Sequence, residues 1–362
     1  MAETVAHFEV DYSRHLDPNG KVVAGLPDFA ATPAPVIALY RAMVRARAFD
    51  AKAISLQRTG RLGTYASALG QEAVSVGVVD AMRPEDVLLP SFREHGGQLL
   101  RGVTPLELFL YWGGDERGSD FAGPRQDFPV SVPVASHAPH AVGVALAFKL
   151  RRQERVAVCI FGDGATSKGD VAEALNIAGV WRLPVVFVVS NNRWAISVPL
   201  RCQTACETLA QKAIAAGIPG EQVDGNDAVA VRAIVGAAIA RARTGGGPSL
   251  IEAVTYRLGD HTTADDAGRY RDDAEVTPHW REEPLVRLRR YLIEAGHWTK
   301  EDEDHLLREM AAEMEAATAR YLATPPQEPA TMFEHVFAAM PAELIRQRDA
   351  MLAASAPARA GR

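Results

Sequence analysis

The sequence predicts an α/β protein: a doubly wound, mostly parallel sheet flanked by helices, with helical N- and C-terminal extensions. Apolar runs with the length of buried strands alternate along the chain with segments of helical spacing, and this alternation is typical of a parallel sheet. Two of these runs end in unusual polar motifs. Residues 156–161 lead into Gly-Asp-Gly, and residues 184–189 lead into Ser-Asn-Asn.

Local signals place the individual elements in chain order. Helical spacing and good helix formers predict a long first helix over residues 34–58. Thr104 is a suitable N-cap for a later helix. By the same criteria, further helices are predicted at 71–82, 104–114, 139–152, 168–182 and 205–216. Strands are predicted at 86–91, 155–161, 184–190 and 249–257. The segment 221–244 is predicted to contain a strand followed by a long helix.

We divide the chain into three parts. Residues 1–33 are expected to form an N-terminal arm, residues 34–323 the α/β domain, and residues 324–362 a C-terminal helical tail. Two long polar loops, 113–130 and 259–273, interrupt the domain, and loops of that length are often functional. The apolar faces of the tail helices could contact a partner subunit, or they could pack within their own chain.

Composition and charge narrow the range of functions. The 362 residues are 48% hydrophobic and 23% charged, as in globular proteins. The formal net charge of −6 gives no reason to expect nucleic acid or an anionic membrane as a partner. The three cysteines are too few for a disulfide framework, which indicates a reducing compartment. With no basic start followed by an apolar segment, a cytoplasmic enzyme is the expectation.

One carboxylate and one amide follow two predicted strands. Asp163 stands in Gly-Asp-Gly, and Asn192 lies 29 residues later, the length of a strand-helix-strand unit that returns the chain to the same sheet edge. Neighbouring strands are about 4.8 Å apart, so two oxygen ligands can share one Mg²⁺ ion. Taken alone, Asp163 is explained equally well as the N-cap of the next helix.

The expected ligand is a diphosphate bound through Mg²⁺. Magnesium in proteins keeps coordination positions for water and phosphate oxygens, and the helix start after Asp163 offers free N–H groups. Gly164 allows the backbone to approach a ligand without a Cβ in the way. The segment GDGATSKG has neither the spacing of a dinucleotide fingerprint nor the Gly-Lys-Ser/Thr of a P-loop.

Residues 162–197 resemble the thiamine-diphosphate motif that opens with GDG and closes with NN; they read GDGATSKGDVAEALNIAGVWRLPVVFVVSNNRWAIS. More narrowly, the chain is similar to the alpha subunit of the first component of 2-oxo acid dehydrogenase complexes, of the pyruvate and branched-chain types. The resemblance covers nearly the whole chain, because four other segments follow in the family's order: GRLGTYASALGQEA, PSFREHG, QVDGNDAVAV and TYRLGDHTTADDAGRYR.

The resemblance implies which residues hold the cofactor's metal and diphosphate. Asp163, Asn192 and the backbone carbonyl of Trp194 would bind Mg²⁺; the family usually has Tyr or Phe at the third position. The backbone at Gly164 and Ala165 would contact the diphosphate.

It also implies roles on the other side of the cofactor. Arg93 would pair with diphosphate oxygens, and Phe92 stands where the family has a tyrosine. Val132 and Val134 align with positions whose backbone contacts the aminopyrimidine ring, with plain core packing as the alternative. His261 aligns with a histidine that contacts the diphosphate and assists transfer to lipoamide, so it is the predicted catalytic residue.

The implied activity is oxidative decarboxylation of pyruvate with acyl transfer to a lipoyl group, with thiamine diphosphate and Mg²⁺ as cofactors. Residues 34–323 would supply the diphosphate-binding half of the site. A beta subunit would supply the other half in an α2β2 heterotetramer, and a lipoyl-bearing acyltransferase would receive the product. Branched-chain 2-oxo acid or acetoin dehydrogenase is the alternative within this class; a non-catalytic phosphate- or nucleotide-binding protein is the alternative outside it.

Overall fold

A computed structural model describes residues 2–355; Met1 and residues 356–362, the ends of the predicted arm and tail, lie outside the described residues. A six-stranded sheet with parallel pairing throughout forms its centre. Its spatial order is β1 (Tyr12–Ser13), β7 (Gly220–Asp224), β8 (Ser249–Val254), β4 (Val185–Asn191), β3 (Ala157–Gly162) and β2 (Val87–Leu89). A separate antiparallel hairpin pairs β5 (Trp194–Ala195) with β6 (Val198–Pro199).

The helices cover the sheet and extend beyond it. They are α1 (Pro33–Arg58), α2 (Glu72–Asp80), α3 (His95–Arg101), α4 (Pro105–Trp112), α5 (His137–Leu150), α6 (Gly169–Val180), α7 (Lys212–Ala215), α8 (Ala228–Arg243), α9 (Asp273–Val276), α10 (Pro284–Glu294), α11 (Lys300–Ala323), α12 (Thr331–Glu334) and α13 (Ala342–Ser355). None of the helices within residues 2–355 combines the length and the apolar composition that crossing a membrane requires.

Side chains alternate between two cores because the period of a strand is two residues. On β3, Cys159 and Phe161 pack with α5 and α6 on one face, whereas Val158 and Ile160 pack with α2 and α8 on the other. Both faces of the central strands are therefore covered, which is why their sequences are continuously apolar. The predicted fold class, a parallel sheet with helices on both sides, is confirmed.

One local prediction needs correction. The segment 205–216 was expected to be one helix, but only α7, its last part, is helical. Thr204 accepts a hydrogen bond from the Cys206 N–H (3.2 Å), a local bond that competes with the helical ladder at the start of the segment. Thr208 and Gln211 exchange side-chain-to-backbone bonds at 3.1 and 3.3 Å, the reciprocal pattern of a capping box, so the chain becomes helical only after Thr208 and the prediction of a helix from residue 205 is wrong.

The N-terminal arm is attached to the sheet. Its strand β1 adds to the edge of β7, and the N–H groups of His15 and Leu16 donate to Asp227 Oδ2 at 2.8 and 2.7 Å. The same carboxylate caps α8 through Val229 and Ala230. The boundaries of the arm and of the C-terminal tail stay predictions, although α1 begins at Pro33 and α11 ends at Ala323.

Candidate active site at the carboxyl ends of the central strands

A cavity of about 240 Å³ opens where β3 and β4 end. Every predicted site residue except Val132 lines it: Phe92, Arg93, Val134, Asp163, Gly164, Ala165, Asn192, Trp194 and His261. Val132 lies in the preceding loop with 51% of its surface exposed, outside the cavity lining. A larger groove of about 600 Å³ between α1, α10 and α11 contains none of these residues.

Register places the two candidate metal ligands side by side. The last paired residues of β3 and β4 are Gly162 and Ser190, so Asp163 follows its strand by one residue and Asn192 follows the pairing by two. Both side chains are buried, with 2% and 5% of their surface exposed. The expected juxtaposition of carboxylate and amide at one sheet edge is therefore present.

Asp163 opens a 3-10 turn that extends to Ser167, and α6 begins only at Gly169. The free N–H groups beside the cavity therefore belong to the first residues of this turn rather than to α6. One Asp163 oxygen, Oδ2, accepts a hydrogen bond from Gln203 Nε2 at 2.8 Å. Burial raises the pKa of Asp163, and the bond from Gln203 acts in the opposite direction.

Asn192 is held at both ends of its amide. Its Oδ1 accepts from the N–H of Trp194 (3.1 Å), and its Nδ2 donates to Gln71 Oε1 (2.8 Å). The chain then turns through Arg193, whose φ of 68° lies in the left-handed region that few side chains adopt. This conformation directs the chain from β4 into the β5–β6 hairpin.

The Trp194 carbonyl is not taken up by its partner in the hairpin. Trp194 pairs with Pro199, which has no N–H to donate, whereas the neighbouring Arg193 carbonyl accepts from the Leu200 N–H at 3.0 Å. Trp194 lines the same cavity as Asp163 and Asn192, and its carbonyl is thus free of that ladder bond.

Gly164 is required by a close approach of the same hairpin. A Cβ at this position would lie 2.7 Å from Ala195 Cβ, which real Cβ atoms do not tolerate. The glycine therefore lets the 3-10 turn and the hairpin close on one another at the cavity floor.

Arg93 lines the cavity, and a second arginine, Arg257, lies behind it against His261. Arg93 donates through Nη2 to the His261 carbonyl (2.7 Å) and to His261 Nδ1 (3.0 Å), and through Nη1 to the Ser67 carbonyl. Arg257, which is 1% exposed, lies 3.4 Å from His261 Nδ1 through Nη1 and donates to the Tyr270 hydroxyl at 2.8 Å. Burial, followed by repulsion from Arg257, lowers the pKa of Arg93 to about 10.

The arginines also set the tautomer of His261. Guanidinium groups only donate hydrogen bonds, so Nδ1 must be the acceptor, and the ring proton must be on Nε2. Burial, together with Arg93 and Arg257, lowers the pKa of His261 to about 4. At neutral pH this histidine is therefore an uncharged donor of one N–H, and the positive charge beside it comes from Arg93 and Arg257.

The sequence interpretation assigned no role to several polar residues in or behind the cavity wall. Gln71 lines the cavity and Arg257 lies behind it, and both belong to segments that carry the family resemblance. Glu94 also lines the cavity, and burial raises its pKa to about 7. Gln203 sits in an irregular segment, where no periodicity or motif could have signalled its contact with Asp163.

The donor set fits magnesium. Asp163, Asn192 and the Trp194 carbonyl offer hard oxygen atoms, which Mg²⁺ prefers over nitrogen and sulfur. Across residues 2–355, no cluster of three or more His, Cys, Asp and Glu side chains could hold a metal. A metal held by Asp163 would therefore need amide and carbonyl oxygens as its other ligands from this chain.

Comparison with known families agrees with this geometry. A family model described as "Dehydrogenase E1 component" matches residues 40–330, most of the chain. The chain belongs to the dehydrogenase E1 component family. E1 components are thiamine-diphosphate-dependent enzymes that oxidise 2-oxo acids, so the predicted family and enzyme class are confirmed.

The relatives of this E1 chain carry two kinds of name. This chain is 46% identical over 268 residues to the 3-methyl-2-oxobutanoate dehydrogenase subunit alpha of Mycobacterium tuberculosis, and the match covers 74% of this chain and 73% of the relative. It is 40% identical to the pyruvate dehydrogenase E1 component subunit alpha of Acholeplasma laidlawii (92% and 97% covered) and of Staphylococcus aureus (96% and 94% covered).

Proposed function

We propose that this E1 chain is the alpha subunit of a pyruvate dehydrogenase and that its cavity binds the diphosphate end of thiamine diphosphate. The observation that carries the proposal is the convergence of Asp163, Asn192, Arg93 and His261 on one cavity at the carboxyl ends of β3 and β4. When bound, thiamine diphosphate supplies the electron-accepting ring at which a 2-oxo acid loses carbon dioxide.

Magnesium is the finer part of the cofactor proposal. Asp163, Asn192 and the Trp194 carbonyl would supply three oxygen ligands. Because Mg²⁺ takes six ligands, three positions are left for diphosphate oxygens and water. The N–H groups of Gly164 and Ala165, in the first turn of the 3-10 segment, would donate to the diphosphate.

Arg93 and His261 would face the diphosphate from the other wall. Arg93 adds a positive charge, and its guanidinium group is already held in place by bonds to the carbonyls of Ser67 and His261. His261 adds a neutral Nε2–H donor, which is the role we propose for it in binding and in transfer of the acyl group to lipoamide. A diphosphate beside the ring would also favour its protonated form.

The remainder of the cofactor needs a second subunit. At about 240 Å³ the cavity is smaller than the roughly 300–1,000 Å³ typical of sites that enclose a whole ligand. Apolar side chains at or beside its mouth are exposed: Val132, Val134 and Ile196. We therefore propose that a beta subunit covers this mouth in an α2β2 assembly, completes the aminopyrimidine site near Val132 and Val134, and presents the product to a lipoyl-bearing acyltransferase.

The substrate is the point on which the two candidate functions, pyruvate and branched-chain 2-oxo acid dehydrogenase, differ. Similarity to pyruvate dehydrogenase alpha subunits runs over 92–96% of the chain, which favours pyruvate. The higher identity, 46%, to a 3-methyl-2-oxobutanoate dehydrogenase alpha subunit over 74% of the chain keeps the branched-chain substrate as the second candidate. The difference is one of acyl size, worth roughly 1–3 kcal/mol for each methylene in an apolar pocket.

The test is co-expression of this chain with its beta subunit, followed by assays with thiamine diphosphate and Mg²⁺. Decarboxylation of pyruvate and of 3-methyl-2-oxobutanoate would be compared under the same conditions. Pyruvate should give the higher kcat/KM, and omission of either cofactor should abolish turnover. Preference for the branched substrate would replace the first candidate by the second, and reaction with neither would contradict the proposed function.

A further inference from the structure

We propose that Gln71 and Gln203 are positioning residues for a hydrated magnesium diphosphate: each fixes one metal-ligand side chain and turns its remaining amide atom toward the metal's surroundings. The proposal deepens the function proposed above and rests on it. Neither glutamine would bind the metal directly. Together they would form the layer of hydrogen bonds around the ligands that decides which oxygen faces the ion.

Chemistry fixes the orientation of Gln203. An ionised carboxylate only accepts hydrogen bonds, so the Asp163 Oδ2 atom at 2.8 Å must face the Nε2 group of Gln203. A second acceptor, the Val198 carbonyl, lies 3.3 Å from the same nitrogen. With Oδ2 held by Gln203, Oδ1 is the Asp163 oxygen left for a metal.

The orientation of Gln71 follows from a backbone group. The Trp194 N–H can only donate, so the atom it contacts on Asn192 is Oδ1, and the other end of that amide is Nδ2. Nδ2 in turn needs an acceptor, so Gln71 presents Oε1 to it at 2.8 Å. The positions of the oxygen and nitrogen atoms in both side-chain amides are therefore fixed by the Trp194 N–H, which can only donate.

One polar atom of each glutamine is then left over. Gln203 Oε1 and Gln71 Nε2 are buried and have no hydrogen-bond partner among the described residues. An unpaired buried polar group destabilises a fold, so two of them beside one cavity call for an explanation. Gln71 lines the cavity, and Gln203 Oε1 lies 3.6 Å from where a Cβ of Gly164 would be.

The two leftover atoms match the two kinds of group that a magnesium diphosphate brings. Water bound to Mg²⁺ donates hydrogen bonds, which suits the acceptor Oε1 of Gln203. Diphosphate oxygens accept them, which suits the donor Nε2 of Gln71. Three chain oxygens leave three of six magnesium positions for such ligands. The unpaired atoms are thus complementary to the proposed occupant.

The experiment uses the assembled alpha–beta component with thiamine diphosphate, and Mn²⁺ as a paramagnetic substitute for Mg²⁺. Binding of Mn²⁺ and the line shape of the bound ion are followed by electron paramagnetic resonance. Gln203→Met removes the bond to Asp163, and we expect about 10- to 100-fold weaker Mn²⁺ binding with an altered spectrum. Gln222→Met is the matched control, because Gln222 Nε2 also donates to a buried carboxylate, Glu252 Oε2, at 2.9 Å. It should leave Mn²⁺ binding unchanged.

A second substitution isolates the leftover donor. Gln71→Glu keeps an acceptor for Asn192 Nδ2 but removes Nε2 and places a negative charge near the diphosphate. We expect at least about 10-fold weaker binding of thiamine diphosphate, measured by equilibrium dialysis. Gln211→Glu is its control, since Gln211 Oε1 likewise accepts a bond, from the Thr208 N–H at 3.1 Å, away from the cavity. It should bind the cofactor as the unsubstituted protein does.

The outcomes separate this inference from the proposed function. If the unsubstituted component binds neither Mn²⁺ nor thiamine diphosphate, the proposed function itself fails. If it binds both, and Gln203→Met and Gln71→Glu bind as tightly as their controls, only the role of the glutamines is refuted. Thermal unfolding of each apo variant checks folding. Gln203→Met leaves Asp163 Oδ2 without its donor, and Gln71→Glu places a charge at a buried position, so we expect both variants to unfold cooperatively but at a lower temperature than their controls.

Discussion

Two consecutive asparagines at the end of β4, Asn191 and Asn192, make the same local bonds but differ in the acceptors that their side-chain amides reach. In both, Oδ1 accepts from the backbone N–H two residues ahead, at 3.0 Å for Asn191 and 3.1 Å for Asn192. The Nδ2 group of Asn191 donates to Glu252 (2.6 Å), and that of Asn192 donates to Gln71 (2.8 Å). The difference lies in what those acceptors do next.

Glu252 completes a closed cluster. Its carboxylate also accepts from the Ala210 N–H and from Gln222 Nε2, both at 2.9 Å. Gln71 instead ends at the cavity with an unpaired Nε2. A closed polar cluster stabilises the fold, whereas an open one keeps hydrogen-bonding capacity for a ligand. The comparison teaches that burial alone does not separate a structural polar residue from one that faces a ligand site; an unpaired partner atom on a residue that lines the cavity does so here.

The largest expected effect comes from removing a buried carboxylate next to each asparagine: Asp163 at the cavity with Asn192, and Glu252 in the closed cluster with Asn191. Asp163→Ala should abolish retention of thiamine diphosphate with Mg²⁺ and leave the apo fold as stable as before or more so, since it removes a buried carboxylate with a raised pKa. Glu252→Ala should lower the free energy of unfolding by about 3 kcal/mol, because three donors lose their partner. Urea unfolding and cofactor dialysis of both variants measure this contrast. Equal destabilisation by the two substitutions would contradict the comparison.

The next effect concerns Arg93, the arginine that lines the cavity. Arg93→Met should weaken cofactor binding by about 10- to 100-fold, because a charge-assisted bond is worth roughly 1.5–3 kcal/mol. It should also raise the pKa of His261 from about 4, since Arg93 is one of the charges that lower it. NMR titration of the imidazole checks the second result. Arg101→Met, which removes an ion pair with Asp127 away from the cavity, is the control and should alter neither quantity.

A smaller effect is expected in the pH dependence of stability. His261 has a pKa of about 4 in the folded chain and about 6.5 when unfolded, so the unfolded state binds more protons between these values. Its contribution therefore rises with pH from 4 to 6.5 and is constant above that window. His261→Asn should remove this part of the slope in urea unfolding of the apo protein. An unchanged slope would show that the folded ring titrates normally.

The smallest effect is expected at Val132. Because this side chain is half exposed and outside the cavity lining, Val132→Ser should change the stability of the isolated chain by less than about 0.5 kcal/mol. In the assembled component, the same substitution tests whether the beta subunit covers this position. A clear loss of subunit affinity, measured by ultracentrifugation, would place Val132 in the interface; equal affinity would exclude it from the energetically important part.

Much of the site could be predicted because it rests on strand ends. Asp163 and Asn192 converge since parallel neighbouring strands end at the same edge, and the apolar runs before them fix where the strands stop. The prediction of a helix over 205–216 was wrong because the side chains of Thr204 and Thr208 accept bonds from nearby backbone N–H groups. Helix propensity alone does not register such bonds. The contact of Gln203 with Asp163 was not predictable, since it depends on the path of that irregular segment.

By itself, the sequence determined the parallel sheet, the placement of the carboxylate and the amide, and the E1 family. Each of these follows from periodicity or from motifs that are contiguous along the chain. The tertiary structure alone decided the tautomer of His261, the close approach at Gly164, and which buried polar atoms of Gln71 and Gln203 stay unpaired. The physical reason is that hydrogen-bond satisfaction depends on groups far apart along the chain, and only the folded backbone sets the distances between them.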